Sequence, residues 1–446
     1  MLVDQRPRSE REASGRAARQ TVPRRSHTGW TPPPDRRDVV ELVRESNADR
    51  VPELVPVRHQ RMAVSAFTFF RGAADVMVAD LSGTPNSGVT AQLCGDCHLS
   101  NFGLFATPER RVVFDVNDFD ETARGPWEWD LKRLVASLDI AGRASNLDDR
   151  ACAKIVAQAA ASYRTRMWEY ADLSPVDVHY DRLGLDQLIA LARNRDERRA
   201  RTQLDQRARS RGSLRMMERL TEVVDGQLRI KADPPRLIRA MEVGAREQID
   251  EFLARYSASL RPETHAVFDR YHFVDAVVKV GGIGSVGTRC FLALFLCDDD
   301  QPLFLQVKEA SPSVLAPYAE PGGPTHMGER VVVGQRIMQG TSDIFLGWAT
   351  GPGGREFYVR QAQDMKYSLE VGAMTRSQLA TYGEYCAWAL ARAHAVSSDA
   401  ATIAGYLGRG SVLDDALVSF AAAYADQNER DYEEFMAATR DGRLPI

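Results

Sequence analysis

Cysteine is scarce in this chain, with six among 446 residues. Cys94, Cys97, Cys152, Cys290, Cys297 and Cys386 are scattered and form no disulfide framework. That argues against a disulfide-stapled secreted domain and suits a reducing cytoplasm. Long apolar runs are missing too. No stretch approaches eighteen apolar residues, so no membrane-spanning helix is expected. Residues 1–30 contain no apolar h-region of a secretory signal. Nor is there an excess of positive charge: a net charge of −4 leaves no general nucleic-acid footprint.

What is present is a folding composition, 44% hydrophobic and 26% charged, in a chain long enough for two or three subdomains. Its chemistry concentrates in residues 92–120, QLCGDCHLSNFGLFATPERRVVFDVNDFD. Asp96 is followed five positions on by Asn101, and an apolar hairpin then leads to Asp115 and Asp118-Phe119. This is the polar order of a phosphotransfer site. One carboxylate receives a hydroxyl proton, while an amide and a second carboxylate hold Mg²⁺. Catalysis of that kind is mostly positioning and charge neutralisation, so it needs acceptor oxygens on rigid backbone. The same stretch fits other chemistries. Cys94-Gly-Asp-Cys97-His98 matches covalent haem attachment, a redox C-x-x-C pair, or half of a zinc site. A plain polar loop whose Asp and Asn cap turns is the blandest account.

Residues 1–37, rich in Arg, Ser and Pro, read as a disordered basic tail. Ser65 is a plausible N-cap for one helix through Leu81, with Phe67, Phe70, Ala74, Met77 and Leu81 on a buried stripe. Arg71 sits within it, placed either to snorkel or to clamp a phosphate or carboxylate. Helices are expected over 125–142 and 148–172, with Asp130 in the first turn of the former. There its carboxylate suits the helix end or braces the loop by accepting backbone N–H groups. The stretch 175–270 reads as helical and Arg-rich, with a solvated face over 193–211.

From residue 272 the texture turns to β. Phe273–Val280, the glycine-rich 281–287, Phe291–Leu296 and Leu303–Val307 lead to Lys308. Strand, glycine loop, strand, turn, strand and Lys form the order of a phosphate-covering kinase hairpin, not of a Rossmann site, which needs a helix after the glycines. Gly282, Gly284, Ser285 and Gly287 would then cover phosphates, and Lys308 would reach them. Glu329, opening a helix through Met338, is expected to pair with Lys308. Strands over 345–348 and 355–361 complete a five-stranded sheet, with Val359 on a hinge strand whose backbone meets adenine. From Ser377 to about Glu434 the chain is helical, with His394 a core residue.

The runs RMAVSAFTFFRGAADVMVADL, GDCHLSNFG, FDVNDFDETARGPWEWDLKRL, VKVGGIGSVGTR, LQVKEA and YVRQAQDMK resemble the uncharacterised bacterial family catalogued as domain of unknown function 2252, over roughly residues 38–440. Gly95, Asp96, His98, Asn101, Asp118 and Trp129-Asp130-Leu131 are similar, in order, to the aminoglycoside-phosphotransferase branch of the protein-kinase superfamily. Two departures stand out. Cys94 occupies the place of that motif's first His, and the glycine loop and Lys308 follow the catalytic loop instead of preceding it. Circular permutation reconciles the order.

The expected fold is therefore α+β, a protein-kinase-like two-lobe arrangement with its helical catalytic lobe first. Its parts are a tail (1–37), catalytic and metal loops (38–174), a helical insert (175–270), a β-sheet lobe (271–365) and closing helices (366–446). The implied activity is ATP- and Mg²⁺-dependent phosphotransfer to an unknown hydroxyl of a small molecule or protein. Asp96 acts as base, with Lys308, Glu329 and Arg71 in support. Asn101 and Asp118 hold metal, and Asp115 and Asp120 leave that assignment open. Arg360, Asp364 and Lys366 are substrate-side candidates. Nucleotidyl transfer and a nucleotide-binding pseudoenzyme remain the alternatives.

Overall fold

The computed structural model describes residues 5–192, 195–209, 212–239, 246–362, 367 and 369–446. The expected substrate-side residues Asp364 and Lys366 lie outside them. The fold is α+β, with helices and small antiparallel sheets.

Helix α1 spans Arg8–Thr21. A capping box at Ser65 starts α2 (Ala66–Gly72), and Ala73, at φ −117° and ψ 49°, breaks the run before α3 (Ala74–Ser82). The one helix expected here is thus two, although Phe70, Met77 and Leu81 are all buried, as their spacing implies. Four short strands follow: β1 (Thr90–Leu93), β2 (Phe102–Ala106), β3 (Val112–Val116) and β4 (Ala123–Pro126). β1 pairs with β4, and β2 with β3 forms the hairpin between them. α4 (Trp127–Ala144) is buried through most of its length, and α5 (Asp149–Asp172) begins at the Asp148 cap.

The segment 175–270 is not wholly helical. It contains β5 (Thr221–Val224), β6 (Gln227–Ile230) and β7 (Leu237–Ile238). Asp225 and Gly226, at φ 51° and 75°, turn β5 into β6. An Asp-Gly pair between apolar runs is a strong local hairpin signal, and it prevails here over the helical texture around it.

β8 (His272–Lys279), β9 (Cys290–Leu296) and β10 (Pro302–Glu309) form a meander. Helix α6 (Met327–Met338) intervenes before β11 (Gly347–Thr350) and β12 (Glu356–Gln361). The sheet order is β11-β12-β10-β9-β8-β7, so β7 makes six strands where five were expected. One face buries Phe295, Leu305 and Val359 against the Arg246–Ser259 helix through Tyr256. On the other face, Leu292, Leu294 and Phe304 are covered by Met216 and Ile230. The end of that second face nearest Lys308 opens into a cleft.

Three helices close the fold: α7 (Arg376–Ser397), α8 (Ala400–Leu407) and α9 (Val412–Arg440). With α4 and α5 they bury Leu134, Val156, Tyr163, Leu390 and Phe420 in the main core. Each such side chain contributes roughly 1.5–3 kcal/mol. The expected disordered tail proves partly ordered. α1 lies on α8 so closely that a Cβ on Gly405 would sit 2.3 Å from the Glu12 carbonyl. Arg11 pairs with Asp399, Arg19 donates to the Tyr406 carbonyl, and His27 meets the Tyr406 hydroxyl at 2.7 Å. Arginines that read as a solvated leader are helix anchors.

Candidate active site

The loop after β1 is held by its backbone. The N–H groups of Cys94 and Gly95 donate to the two carboxylate oxygens of Asp130, at 2.8 and 3.0 Å. Asp130 thus braces the loop from the first turn of α4, one of the two roles its position suggested. Gly95 adopts φ +86°, and a Cβ there would lie 2.2 Å from the Glu121 carbonyl. Only glycine fits that turn.

Asp96 follows, and Arg133, one turn along α4 from Asp130, donates to its Oδ1 at 2.6 Å. The Arg133 guanidinium is buried, 4.3 Å from the centre of the Phe70 ring. It fixes the carboxylate rotamer. His98 Nε2 lies 3.5 Å from the other Asp96 oxygen, while its Nδ1 accepts the Ser100 N–H. Burial pulls the His98 pKa down to about 4, so the ring is neutral near pH 7. Asn101 Nδ2 donates to the Asp96 carbonyl at 2.7 Å, and the Asn101 carbonyl accepts the Asn117 N–H at 2.7 Å. The loop and the turn after β3 are thereby tied together.

That turn carries Asp118 and Asp120. The Asp120 N–H caps Asp118 Oδ1 at 3.2 Å, and the Asp120 carboxylate pairs with Lys308 and accepts the Tyr358 hydroxyl at 2.7 Å. Burial lowers the Lys308 pKa to about 8, against the pull of the Asp118 charge. The ion pair found for Lys308 is therefore with Asp120, not with the expected Glu329. Glu329 gives its N–H to His326 Nδ1 in the first turn of α6. Its neighbour Arg330 reaches the site instead, donating to the carbonyls of Asp120 and Thr122 at 2.7 and 2.6 Å.

Asp96, Asn101, Asp118, Lys308 and Arg71 line one cleft of about 1180 Å³, as do Gly282, Gly284 and Ser285. The glycine segment enters it as a short 3₁₀ turn, Ile283–Ser285. Arg71 is recessed there with its Nε buried and unpartnered. Besides Glu329, which does not line the cleft, three expected site residues lie elsewhere. Asp115 points behind β3, where it accepts the N–H groups of Gly340 and Val116, and it lines a separate small cavity with Arg392. Gly287 packs on Arg50. Val359 sits in mid-ladder between Val307 and Gly347, so β12 presents no main-chain edge there for a base.

Sequence reasoning passed over Arg133, Arg330 and Lys279, which also lines the cleft. The signal for Lys279 was a lone cation closing an apolar strand; for Arg133, a second charge one helical turn after Asp130.

The donor set suits a hard dication on a phosphate. Asn101 spends its side-chain nitrogen on the Asp96 carbonyl, so its side-chain Oδ1 could join the Asp118 carboxylate as an oxygen ligand. A buried Cys94, Cys97 and Asp130 group also lies within metal-ligand spacing. Both Asp130 oxygens there already accept backbone N–H groups, and burial holds both thiols protonated.

The family model described as "Uncharacterized protein conserved in bacteria (DUF2252)" matches residues 50–438, and the chain belongs to that family. No curated protein and no solved structure matches it.

Proposed function

We propose that this DUF2252 chain is a Mg²⁺-dependent transferase that moves a phosphorus-containing group from a nucleoside triphosphate to a hydroxyl acceptor, on a circularly permuted kinase-like scaffold. One observation carries the reading. Lys308, 188 residues after Asp120 in sequence, meets the Asp118–Asp120 turn in the same cleft as Asp96 and Asn101. Permutation of the kinase order requires that convergence; a chance motif does not.

The roles follow from the chemistry of each group. Asp96, its rotamer set by Arg133, accepts the proton of the acceptor hydroxyl. Asn101 and Asp118 would hold Mg²⁺, which neutralises phosphate charge when bound. Lys308 is the buried cation that meets phosphate, and Asp120 holds it in place beforehand. The 282–285 backbone covers the phosphates.

Calorimetry of ATP binding with and without Mg²⁺ tests this directly. Micromolar, Mg²⁺-dependent binding that Asp118→Asn abolishes is expected. Wild-type protein that binds no nucleotide overturns the proposal.

A further inference from the structure

The sheet wall of the cleft is cationic where a nucleobase would need an apolar slot. Alternate residues of a strand share one face. Lys308 stands opposite Cys290 on β9 and Tyr358 on β12, and the pairing of Val278 with Phe291 brings Lys279 level with Cys290. Lys279 and Lys308 thus share one cross-strand row, two strands or roughly 10 Å apart. In the next row Gln306 faces Arg360. Lys279, Gln306, Lys308 and Arg360 all line the cleft.

The charges on this wall are not all matched. Arg360 gives its hydrogen bonds to the Asn117 carbonyl and the Gln306 side chain, at 3.1 and 3.4 Å, and the nearby charges of Asp118 and Asp343 favour its guanidinium without a direct bond. The Lys279 ammonium has neither a hydrogen bond nor an ion pair among the described residues, and burial lowers its pKa. A recessed ammonium without a counter-charge is costly unless an anion arrives. The interior place of β12 removes the main-chain edge that would read a base. The carboxylates Asp96, Asp118 and Asp120 line the same cleft, with Asp120 against Lys308 at one end of this wall.

Resting on the nucleotide reading above, we infer that the triphosphate enters tail first. Its β- and γ-phosphates lie on Lys279 and Arg360, and its α-phosphate lies beside Asp118. The transferred group is then the nucleotidyl group. The acceptor oxygen attacks Pα, the bond from Pα to the bridging oxygen of Pβ breaks, and pyrophosphate leaves with the electron pair. The hydroxyl proton passes to Asp96.

Two measurements test this. The first is calorimetric titration with Mg²⁺ and inorganic tripolyphosphate, AMP or ATP. Tripolyphosphate should bind nearly as well as ATP, and Lys279→Gln should weaken both about tenfold while AMP binding changes little. Lys279→Arg should restore most of the affinity, which separates lost charge from lost folding. The second is ³¹P NMR of slow ATP turnover with water as acceptor, which should show AMP and pyrophosphate. ADP with inorganic phosphate, or tripolyphosphate binding indifferent to Lys279→Gln, overturns the tail-first orientation but leaves the transferase reading standing. Wild-type protein that binds neither ATP nor tripolyphosphate overturns both.

Discussion

His98 is a buried titratable group placed against the general base of the proposed site. Its folded pKa of about 4 lies below the 6.5 of an unfolded chain. Between those values the unfolded state binds more protons, so stability rises with pH. Acidification from 6.5 to 4 should then cost up to about 3 kcal/mol through this residue alone. Urea midpoints at pH 7 and pH 4.5 should differ less in His98→Asn than in wild type; an equal difference refutes the assignment. Lys308 titrates the other way in function. Its ammonium is lost as pH rises through about 8 in the free protein. Nucleotide affinity should therefore fall between pH 7 and pH 9.5, and Lys308→Arg should flatten the fall because guanidinium stays charged. Isothermal titration across that range decides it. Asp96, Asn101, Asp118 and Lys308 were legible because each belongs to a short motif with fixed spacing. Asp115 and Val359 were misplaced for different reasons. Val359 lies on a strand that the sheet order encloses on both sides, which spacing does not show. Asp115 fell on the wrong face. A strand sends successive side chains to opposite faces, and spacing alone does not say which face meets the cleft.

At the level of elements, the loop after β1 is tied to the first turn of α4 by one carboxylate with two backbone donors. Asp130→Ala leaves the buried Cys94 N–H and the half-buried Gly95 N–H unpaired, at up to about 1–3 kcal/mol each. The variant should unfold about 2–5 kcal/mol more easily in urea, and its proposed activity should fall further than its stability explains. α1 offers a separate test. Gly405→Leu cannot tolerate the Glu12 carbonyl at its present distance, so α1 should undock while the rest of the fold survives. Limited trypsinolysis should then cut among Arg11, Arg16 and Arg19 far faster than in wild type. Unchanged protection would mean that α1 is held by other contacts. The helix–helix docking of α1 was invisible in sequence because it depends on two glycines about 390 residues apart, Gly15 and Gly405. The β5–β6 hairpin, by contrast, was readable from Asp225-Gly226.

Across the whole molecule, parts distant in sequence complete one another. The Tyr382 hydroxyl of α7 donates to the Leu99 and Phe102 carbonyls at 2.8 and 3.2 Å, buried at the base of the Asp96 loop. Further along the same helix, His394 lies against Asp130 and the Tyr163 hydroxyl. A fragment covering residues 38–174 holds Asp96, Asn101 and Asp118, yet it should show no cooperative thermal transition by near-ultraviolet circular dichroism. A sharp transition in that fragment would show that the segment is self-sufficient. The α+β class and the order of the main strands could be read locally, whereas these closures join residues that no window of sequence places side by side. The Asp130 brace has a consequence in time as well as in space. Translation proceeds at about 5–20 residues per second. The loop and its carboxylate therefore leave the ribosome roughly ten to fifty seconds before His394 and the rest of α7 exist to cover them. Through that interval a nascent chain exposes the apolar faces of α4 and α5, and its final packing is set by contacts of high sequence separation, which form slowly. Helper proteins that shield nascent apolar surface should raise the yield of this chain more than they would for one in which the same loop lies near the end.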